Sequence, residues 1–150
     1  MSRSEDIVEL ELPASARYLS LMRSIISELP ELDSIKPSVV EDIKVAVIEA
    51  LTNVIKHSSE RVSRIGFVFS FVRGEIHVSV RYADPNFKIE KIPGPDAQPE
   101  LEKLPESGWG LFMMRKLMDH VEYLVDGSGD VELRMIRTLQ EKKSGNDDTV

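Results

Sequence analysis

The chain has 150 residues, of which 41% are hydrophobic and 30% charged, and it contains no cysteine. This length fits one domain with a real hydrophobic core, and the lack of cysteine excludes a disulfide scaffold and a thiolate metal site. The 26 acidic residues outnumber the 19 basic ones, which excludes a general nucleic-acid or anionic-membrane binder with a basic surface. The longest uncharged apolar stretch, residues 65–72, is too short to span a membrane, and the acidic start is unlike a signal peptide, so we expect a cytoplasmic protein.

The first third of the chain is predicted to form one strand and two helices. Residues 7–12 alternate between apolar and polar side chains, as a half-buried strand does. Residues 14–29 carry apolar side chains at helical spacing. Ser38 is placed to cap a second helix, with Glu41 as its partner in a capping box, and this helix should end near Ser58.

The rest of the chain is predicted to form four strands and one helix. The strands are residues 64–72, 75–83, 121–125 and 131–136, the first two joined by an Arg73-Gly74 turn, and the helix is residues 109–120. Helices do not alternate one for one with strands, so a parallel doubly wound sheet is disfavoured. We expect an α+β fold, a two-layer sandwich with helices on one face of a mainly antiparallel sheet, over residues 1–139, followed by a flexible tail at residues 140–150.

A long loop interrupts this pattern at residues 88–107. It contains four of the eight prolines and has no sustained period. A loop of this length inside a compact domain is typically either functional or disordered. Two interpretations therefore stay open, a solvated insertion and a mobile lid over a site.

Glu49 and Asn53 form the first candidate pair for chemistry. They are four residues apart on the predicted second helix, so they lie one turn apart on the same ridge, at the edge of the apolar face. A carboxylate there can accept a proton, and a carboxamide oxygen can ligate Mg²⁺. Such a pair is common on solvated helices, so on its own it is weak evidence for a site and must be judged with the residues around it.

The residues on either side of the long loop add to this pair. Asp84 ends the strand that precedes the loop, and Ser107-Gly108-Trp109-Gly110-Leu111 follows the loop and opens a helix. Glycines at a helix start expose backbone N–H groups where the helix dipole favours phosphate. The specific feature is the order of a Glu-x-x-x-Asn helix, a strand ending in Asp, a long loop, a Gly-x-Gly helix and closing strands.

This arrangement resembles the anti-sigma-factor serine kinases, small bacterial regulators in the GHKL superfamily of histidine-kinase-like ATPases. Residues 49–57, Glu-Ala-Leu-Thr-Asn-Val-Ile-Lys-His, are similar to the family's N-box helix. Residues 107–119 resemble its second glycine box, and the likeness extends from about residue 6 to residue 138. The resemblance implies a Bergerat-type ATP-binding fold.

The family's residue roles can be carried onto matching positions of this chain. The resemblance implies that Glu49 is the general base for phosphorylating a serine or threonine hydroxyl, and that Asn53 holds Mg²⁺ against the phosphates of ATP. It implies that Asp84 accepts a hydrogen bond from the adenine amino group. The glycine box, Gly108 to Leu111, would cradle the phosphates, and Arg23 on the first helix matches a position that faces partner proteins.

Trp109 and Asn86 are the less regular members of the implied ATP site. Trp109 stands between the two glycines, where a small residue would suffice, and either covers the loop or meets a partner. Asn86 lies in the run Asp84-Pro85-Asn86-Phe87, where relatives have glycines, and Asn tolerates positive φ well enough to replace one. Relatives also have a Gly-Thr pair before the last strand, whereas this chain has Gly129-Asp130.

The resemblance implies an anti-sigma factor that sequesters an alternative sigma factor. It would inactivate an anti-anti-sigma antagonist by phosphorylating it with ATP and Mg²⁺, and it would be a homodimer. The altered adenine end leaves a second interpretation open, a non-catalytic binding module of the same fold with weak or lost ATP binding. A domain from a larger sensor kinase is disfavoured, because the likeness includes the first strand.

Overall fold

The computed structural model describes residues 6–58, 62–94, 102, 104 and 106–143. These residues form five strands and three α-helices. In chain order they are β1 (Ile7–Pro13), α1 (Leu19–Glu28), α2 (Pro37–His57), β2 (Arg64–Val72), β3 (Glu75–Ala83), α3 (Glu106–Leu117), β4 (His120–Val125) and β5 (Asp130–Thr138). Each predicted strand and helix is present, and the differences lie at their ends.

The strands form one sheet in the order β1-β2-β3-β5-β4, with every neighbouring pair antiparallel. The predicted β2–β3 turn is confirmed, with Arg73 at φ 51° and Gly74 at φ 78°. Two successive residues at positive φ give the turn the twist that matches the flanking strands. In β5, Asp130 pairs with Ala83 and Thr138 with Glu75, so β5 lies beside the whole length of β3.

One face of the sheet is apolar and carries the helices. Alternate residues of the three central strands are buried on this face, namely Ile65, Phe67, Phe69, Ile76, Val78, Val80, Val131, Leu133 and Met135. The opposite face carries charged side chains, such as Glu132, whose carboxylate lies 3.3 Å from Arg81 and 3.2 Å from Arg134. The predicted α+β two-layer sandwich, with an antiparallel sheet covered on one face, is confirmed.

Helix α2 is the central helix of the helical layer and packs against both α1 and α3. Seven of its residues are buried: Val39, Ile43, Ala46, Val47, Ala50, Leu51 and Val54. Arg137 of β5 ties the layers together, because its guanidinium donates to Asp42 of α2 at 3.0 Å and to the carbonyl of Leu117 at the end of α3. Arg137 therefore helps to set the spacing between α2 and α3, because one side chain of the sheet is bonded to both helices.

The first two helices begin elsewhere than the sequence pattern predicts. Ser38 is not the cap of α2; the helix begins at Pro37, with Lys36 as its N-cap residue. Proline suits the first helical position because its φ is already helical and its missing N–H has no partner there. Before α1, a 3-10 turn at Ala16–Tyr18 occupies the start of the predicted helix.

The third helix begins three residues earlier than predicted, at Glu106, and ends at Leu117, so His120 belongs to β4. Past the predicted domain end at residue 139, the Lys36 N–H donates to the Gln140 carbonyl and the Lys142 N–H to the Ser34 carbonyl. These bonds extend the folded part past that boundary; the rest of the predicted tail, residues 144–150, lies outside the described residues. None of the described helices combines the length and apolarity needed to cross a bilayer.

Candidate functional site

A cavity of about 290 Å³ lies between α2, α3 and the sheet, which contributes Tyr82 of β3 and Tyr123 of β4. Its lining includes four of the predicted site residues and comes from every element around it: Asn53, His57, Ser58, Tyr82, Asp84, Phe87, Lys91, Ile92, Pro93, Leu104, Gly108, Leu111 and Tyr123. Larger depressions, of about 640 and 600 Å³, lie on the charged face of the sheet and beside the β2–β3 turn, and no predicted site residue lines either. The chemistry-bearing residues identify the smaller cavity as the candidate site.

Asn53 and Gly110 are in direct contact where α2 meets α3. A Cβ built on Gly110 would lie 2.7 Å from both Nδ2 and Oδ1 of Asn53. Side-chain atoms do not approach this closely, so the residue opposite Asn53 must be glycine if the carboxamide is to stay in place. The glycine thus has a definite function here: it makes room for the amide oxygen at the cavity.

The rest of the glycine box lies in the first turns of α3. Gly108 and Leu111 line the cavity, Leu111 being buried. Trp109 is 42% exposed and packs edge-on against Phe112, with ring centroids 6.1 Å apart. Because α3 begins at Glu106, the N–H of Gly108 is among those that have no partner within the helix, whereas Gly110 lies far enough along to pair within it.

Asp84 is the buried acidic residue at the end of β3, with 2% of its surface exposed. It opens a turn in which the Phe87 N–H donates to the Asp84 carbonyl at 3.0 Å. The prediction that Asn86 replaces a glycine at positive φ is wrong, since Arg73 is the one described non-glycine residue with positive φ. Pro85 sets its own φ near that of an ordinary turn, so no left-handed residue is needed.

The β4–β5 turn supports the backbone of this acidic residue. The Asp84 N–H donates to the Gly129 carbonyl at 2.9 Å, and a Cβ on Gly129, which has φ 88°, would lie 2.7 Å from Cα of Pro85. The turn is itself braced by Asp126, whose carboxylate accepts the Ser128 N–H at 2.9 Å. The hydrogen bond from the Ser128 hydroxyl lowers the pKa of Asp126, so this brace stays ionised.

Three aromatic side chains, Tyr82, Phe87 and Tyr123, line the cavity together with Asp84. The rings of Phe87 and Tyr123 lie 5.1 Å apart at 32°. Burial raises the pKa of Tyr123 to about 12, an effect partly offset by the charge of Arg115. Burial also raises the pKa of Tyr82, and the charges of Tyr123 and Asp84 add to that shift. Both phenols are therefore neutral at physiological pH, and the effect of Asp84 on Tyr82 places these two side chains close together.

Residues 89–94, which we call the wall segment, close the cavity on the side of the long loop. The segment contains a 3-10 turn at Ile89–Lys91, and Lys91, Ile92 and Pro93 line the cavity. Leu104 contributes from the far end of the loop. Of the predicted lid at residues 88–107, residues 95–101, 103 and 105 lie outside the described part of the chain.

Five of the predicted site residues are not part of the cavity lining, namely Trp109 and Gly110 on α3 and three residues on other elements. Glu49 is half-buried on α2, one turn before Asn53, and Asn86 is exposed in the turn after Asp84. Arg23 is exposed on α1, where its guanidinium lies 3.8 Å from the carboxylate of Glu41. Of the three, Glu49 is near enough to Asn53 to act on a molecule held there, because side chains four apart on a helix are neighbours.

The described residues fit a Mg-nucleotide in three respects. Asn53 offers an amide oxygen of the kind that Mg²⁺ prefers, in a place kept open by Gly110. The start of α3 offers free N–H groups beside the cavity, and Lys91 brings a cation to it. At the other end, Asp84 and the aromatic rings offer an acceptor and apolar faces to a heterocyclic base.

The sequence pattern did not identify several residues of this site. Tyr82, Phe87, Lys91 and Tyr123 lie in strands or turns that their local sequence marks only as ordinary structure. They become site residues through contacts across many positions of the chain, such as that between Phe87 and Tyr123. The order of the surrounding elements was the available signal, because it placed the end of β3 opposite the start of α3.

Comparison with known proteins agrees with this geometry. Residues 12–137 match the family described as the histidine kinase-like ATPase domain. Two proteins named serine-protein kinase RsbW, from different strains of Staphylococcus aureus, are each 29% identical to the chain in an alignment 153 positions long, which covers 97% of this chain and 96% of theirs.

Two solved structures share the fold. One contains the RsbU and RsbW domains of a Mycobacterium tuberculosis protein; it matches 91% of this chain and 33% of its own, with a TM-score of 0.63 and 18% identity. The other is the mycobacterial sensor histidine kinase MprB, which matches 90% of this chain and 100% of its own, with a TM-score of 0.51 and 13% identity.

Proposed function

The chain belongs to the histidine kinase-like ATPase domain family, and on this premise we propose that it is an ATP-dependent protein-serine/threonine kinase and anti-sigma factor. The observation that carries the proposal is the single cavity lined by Asn53, Asp84 and Gly108. Each of these residues comes from a different element, and each has a separate use for one Mg-nucleotide. Similarity to the serine-protein kinases RsbW over nearly the whole chain supports the same activity.

In this proposal different cavity residues contact different parts of ATP. In the proposed complex, Asp84 accepts a hydrogen bond from the adenine amino group, between the aromatic rings of Phe87 and Tyr123. Asn53 ligates the Mg²⁺ ion that accompanies the phosphates, and the N–H groups near Gly108 hold the phosphate oxygens. No three of the described His, Asp and Glu residues cluster as a metal cage, which suits Mg²⁺ shared between a protein oxygen and phosphates.

Glu49 is the proposed general base. Bound ATP supplies the phosphoryl group, and the hydroxyl of a serine or threonine on the antagonist must lose its proton as it attacks. The Glu49 carboxylate lies on the ridge of Asn53, so a hydroxyl that approaches from that side of α2 comes within its reach. Positioning and charge stabilisation supply the rest of the rate enhancement in phosphoryl transfer.

The proposed partners are an alternative sigma factor, which the chain sequesters, and an anti-anti-sigma antagonist, which it phosphorylates. Arg23 is the proposed contact on α1. Its pairing with Glu41 is long, at 3.8 Å, and both side chains are about half exposed. Such a surface pair contributes little to stability, so Arg23 is available to exchange Glu41 for an acidic group of a partner. The proposed assembly is a cytoplasmic homodimer.

A second candidate function is a partner-binding module that does not turn over ATP. It is favoured by the turn after Asp84, where Pro85 lacks the N–H of a glycine and is pressed against Gly129. Phe87 also places a ring in the cavity against Tyr123. Both features reduce the room at the base end, while Asn53 and Gly108 remain in place at the phosphate end.

Replacing the proposed base separates the two candidates. Glu49→Gln keeps the shape of the side chain and removes the proton acceptor, so we expect ATP–Mg²⁺ affinity to stay within about twofold while phosphoryl transfer falls by roughly 10² to 10⁴. The measurement is calorimetric titration with ATP–Mg²⁺, followed by ADP formation with an added anti-anti-sigma protein.

Glu9→Gln is the control, because Glu9 is an exposed glutamate on β1 that does not line the cavity. It should leave both binding and transfer unchanged. Equal transfer by Glu49→Gln and the unaltered chain would contradict the role of Glu49. Absence of ADP formation by the unaltered chain, together with intact partner binding, would favour the second candidate.

A further inference from the structure

Arg115 lies in the last turn of α3 and reaches across to the wall segment. Its guanidinium donates from Nη1 to the Gly94 carbonyl at 3.2 Å and from Nη2 to the Pro93 carbonyl at 2.5 Å. A planar guanidinium presents its N–H donors in a fixed fork, so the two successive carbonyl groups are held in a defined position relative to the side chain of Arg115. Arg115 thereby joins the wall segment to a helix more than twenty positions further along the chain.

The wall segment depends on such an external hold. Its own backbone hydrogen bonds are local, from the Lys91 N–H to the Lys88 carbonyl at 3.1 Å and from the Ile92 N–H to the Ile89 carbonyl at 3.0 Å. Ile89 remains 46% exposed. A single 3-10 turn with half its apolar side chains in water has little stability of its own, so its position is set by what it is attached to.

If Arg115 served only to stabilise the fold, a charged side chain at this position would carry an unnecessary free-energy cost. Burial lowers the pKa of its guanidinium. Its Nε is buried and has no hydrogen-bond partner among the described residues. Arg115 as a whole is only partly buried, and its hydrogen bonds replace hydrogen bonds to water, so their net contribution to fold stability is modest. The arginine is therefore better explained by what its fork holds than by a gain in fold stability.

The attachment matters because the two sides of the cavity are carried by one helix. Helix α3 contributes Gly108 and Leu111 from its first turns, and through Arg115 it also holds the wall segment with Ile92 and Pro93. The distance between these two sides sets the width of the cavity. The charge of Arg115 also acts on Tyr123, which lines the cavity from β4.

We propose that Arg115 is a positioning residue for nucleotide binding, which fixes the wall segment on α3 and so sets the width of the cavity. This inference rests on the proposed function of the cavity as an ATP site. It assigns to Arg115 no contact with the nucleotide itself. The expected signature is a loss of affinity and of local order without a loss of global stability.

The test compares the full chain with Arg115→Met, Arg115→Lys and the control Lys116→Met. Lys116 is the neighbouring exposed cation on the same helix turn. Three quantities are measured: hydrogen exchange of the Lys91, Ile92 and Gly94 amides without nucleotide, the dissociation constant for ATP–Mg²⁺, and the midpoint of thermal unfolding. The exchange measurement needs no ligand and therefore does not depend on the proposed function.

For Arg115→Met we expect exchange of these amides to rise and ATP–Mg²⁺ affinity to fall by about tenfold or more, since two hydrogen bonds from a charged donor are lost. The unfolding midpoint should stay nearly constant, because the wall segment can open locally while the rest of the fold stays intact. Arg115→Lys should be intermediate, because one ammonium group does not reproduce the fork. Lys116→Met should behave as the unaltered chain.

Unchanged exchange and affinity in Arg115→Met would overturn the proposal. A lowered midpoint that accounts for the loss of affinity, or failure of Arg115→Met to fold while Arg115→Lys restores stability and affinity together, would also overturn it and leave a structural role. If the unaltered chain does not bind ATP–Mg²⁺, the proposed function fails. In that case faster exchange in Arg115→Met still supports the role of Arg115 in holding the wall segment. Unchanged exchange would contradict that role as well.

Discussion

Replacing Gly110 by alanine tests the contact between α2 and α3 at the candidate metal ligand. The added Cβ would lie 2.7 Å from both Nδ2 and Oδ1 of Asn53, whereas ordinary van der Waals contact begins at 3.4 Å. The carboxamide must therefore retreat by about 0.7 Å. Because these atoms are the far end of a side chain, they can move without displacing either helix.

The expected result is a loss of function without a loss of stability. Alanine is favoured over glycine inside a helix by about 0.5 to 1 kcal/mol, which offsets the cost of moving the carboxamide. A ligand of Mg²⁺ must stay near 2.1 Å from the ion in near-octahedral geometry, so a shift of this size breaks the contact. Misplacement by about 1 Å costs on the order of 10²-fold in rate, and we expect a loss of this order in kcat/KM.

The assay combines thermal unfolding, kcat/KM from ADP formation with an added anti-anti-sigma protein, and calorimetric titration of ATP in the presence and absence of Mg²⁺. Gly127→Ala is the control, since Gly127 has open space around its Cα and lies in an exposed turn. If Gly110 acts through Asn53, the variants Gly110→Ala and Asn53→Ala should not be additive when combined. Full Mg²⁺-dependent affinity in Gly110→Ala, or additive losses, would refute the reasoning.

Two further predictions concern pH and assembly. The pKa of Tyr123 is raised from 10.0 to about 12 by burial, so its neutral form stabilises the fold fully below about pH 10, and this contribution is lost as the pH rises through about 12. Urea unfolding across that range should show a smaller loss of stability in Tyr123→Phe than in the unaltered chain, and equal losses would contradict it. The proposed homodimer should scatter light at about twice 16.9 kDa, since Ile7 of the edge strand β1 and Leu21 of α1 are 55% and 45% exposed. A mass of one chain at micromolar concentration would refute it.

Local pattern was sufficient for most of the fold. The uncharged apolar run in residues 65–72 and the alternation in residues 75–83, with Arg73-Gly74 between them, predict a hairpin, and the observed strands have the predicted bounds, residues 64–72 and 75–83. The helical spacing that ends at His57 likewise predicts α2. In these segments one face is buried along the whole element, so burial repeats with the period of the backbone and can be read from residue types.

The differences arise where tertiary contact overrides local preference. Glycine is a poor helix former, so Gly108 favours a later start for α3, yet the helix begins before it. Further along the helix, Gly110 makes room for the side chain of Asn53. The turn at Asp84 depends on Pro85 and on the contact with Gly129, which is distant in the chain. The fork from Arg115 to Pro93 has no local signature either. Such contacts are set by packing between elements and leave no period in the sequence.

Calorimetric titration of the unaltered full chain with ATP–Mg²⁺ tests the central claim most directly, because every proposed role assumes that the cavity between α2 and α3 holds this nucleotide. We predict saturable binding of one nucleotide per chain that weakens when Mg²⁺ is chelated, since Asn53 acts through the metal. Absence of binding heat at any accessible concentration, from a chain shown to be folded, would contradict the account and leave the partner-binding module as the function of this fold.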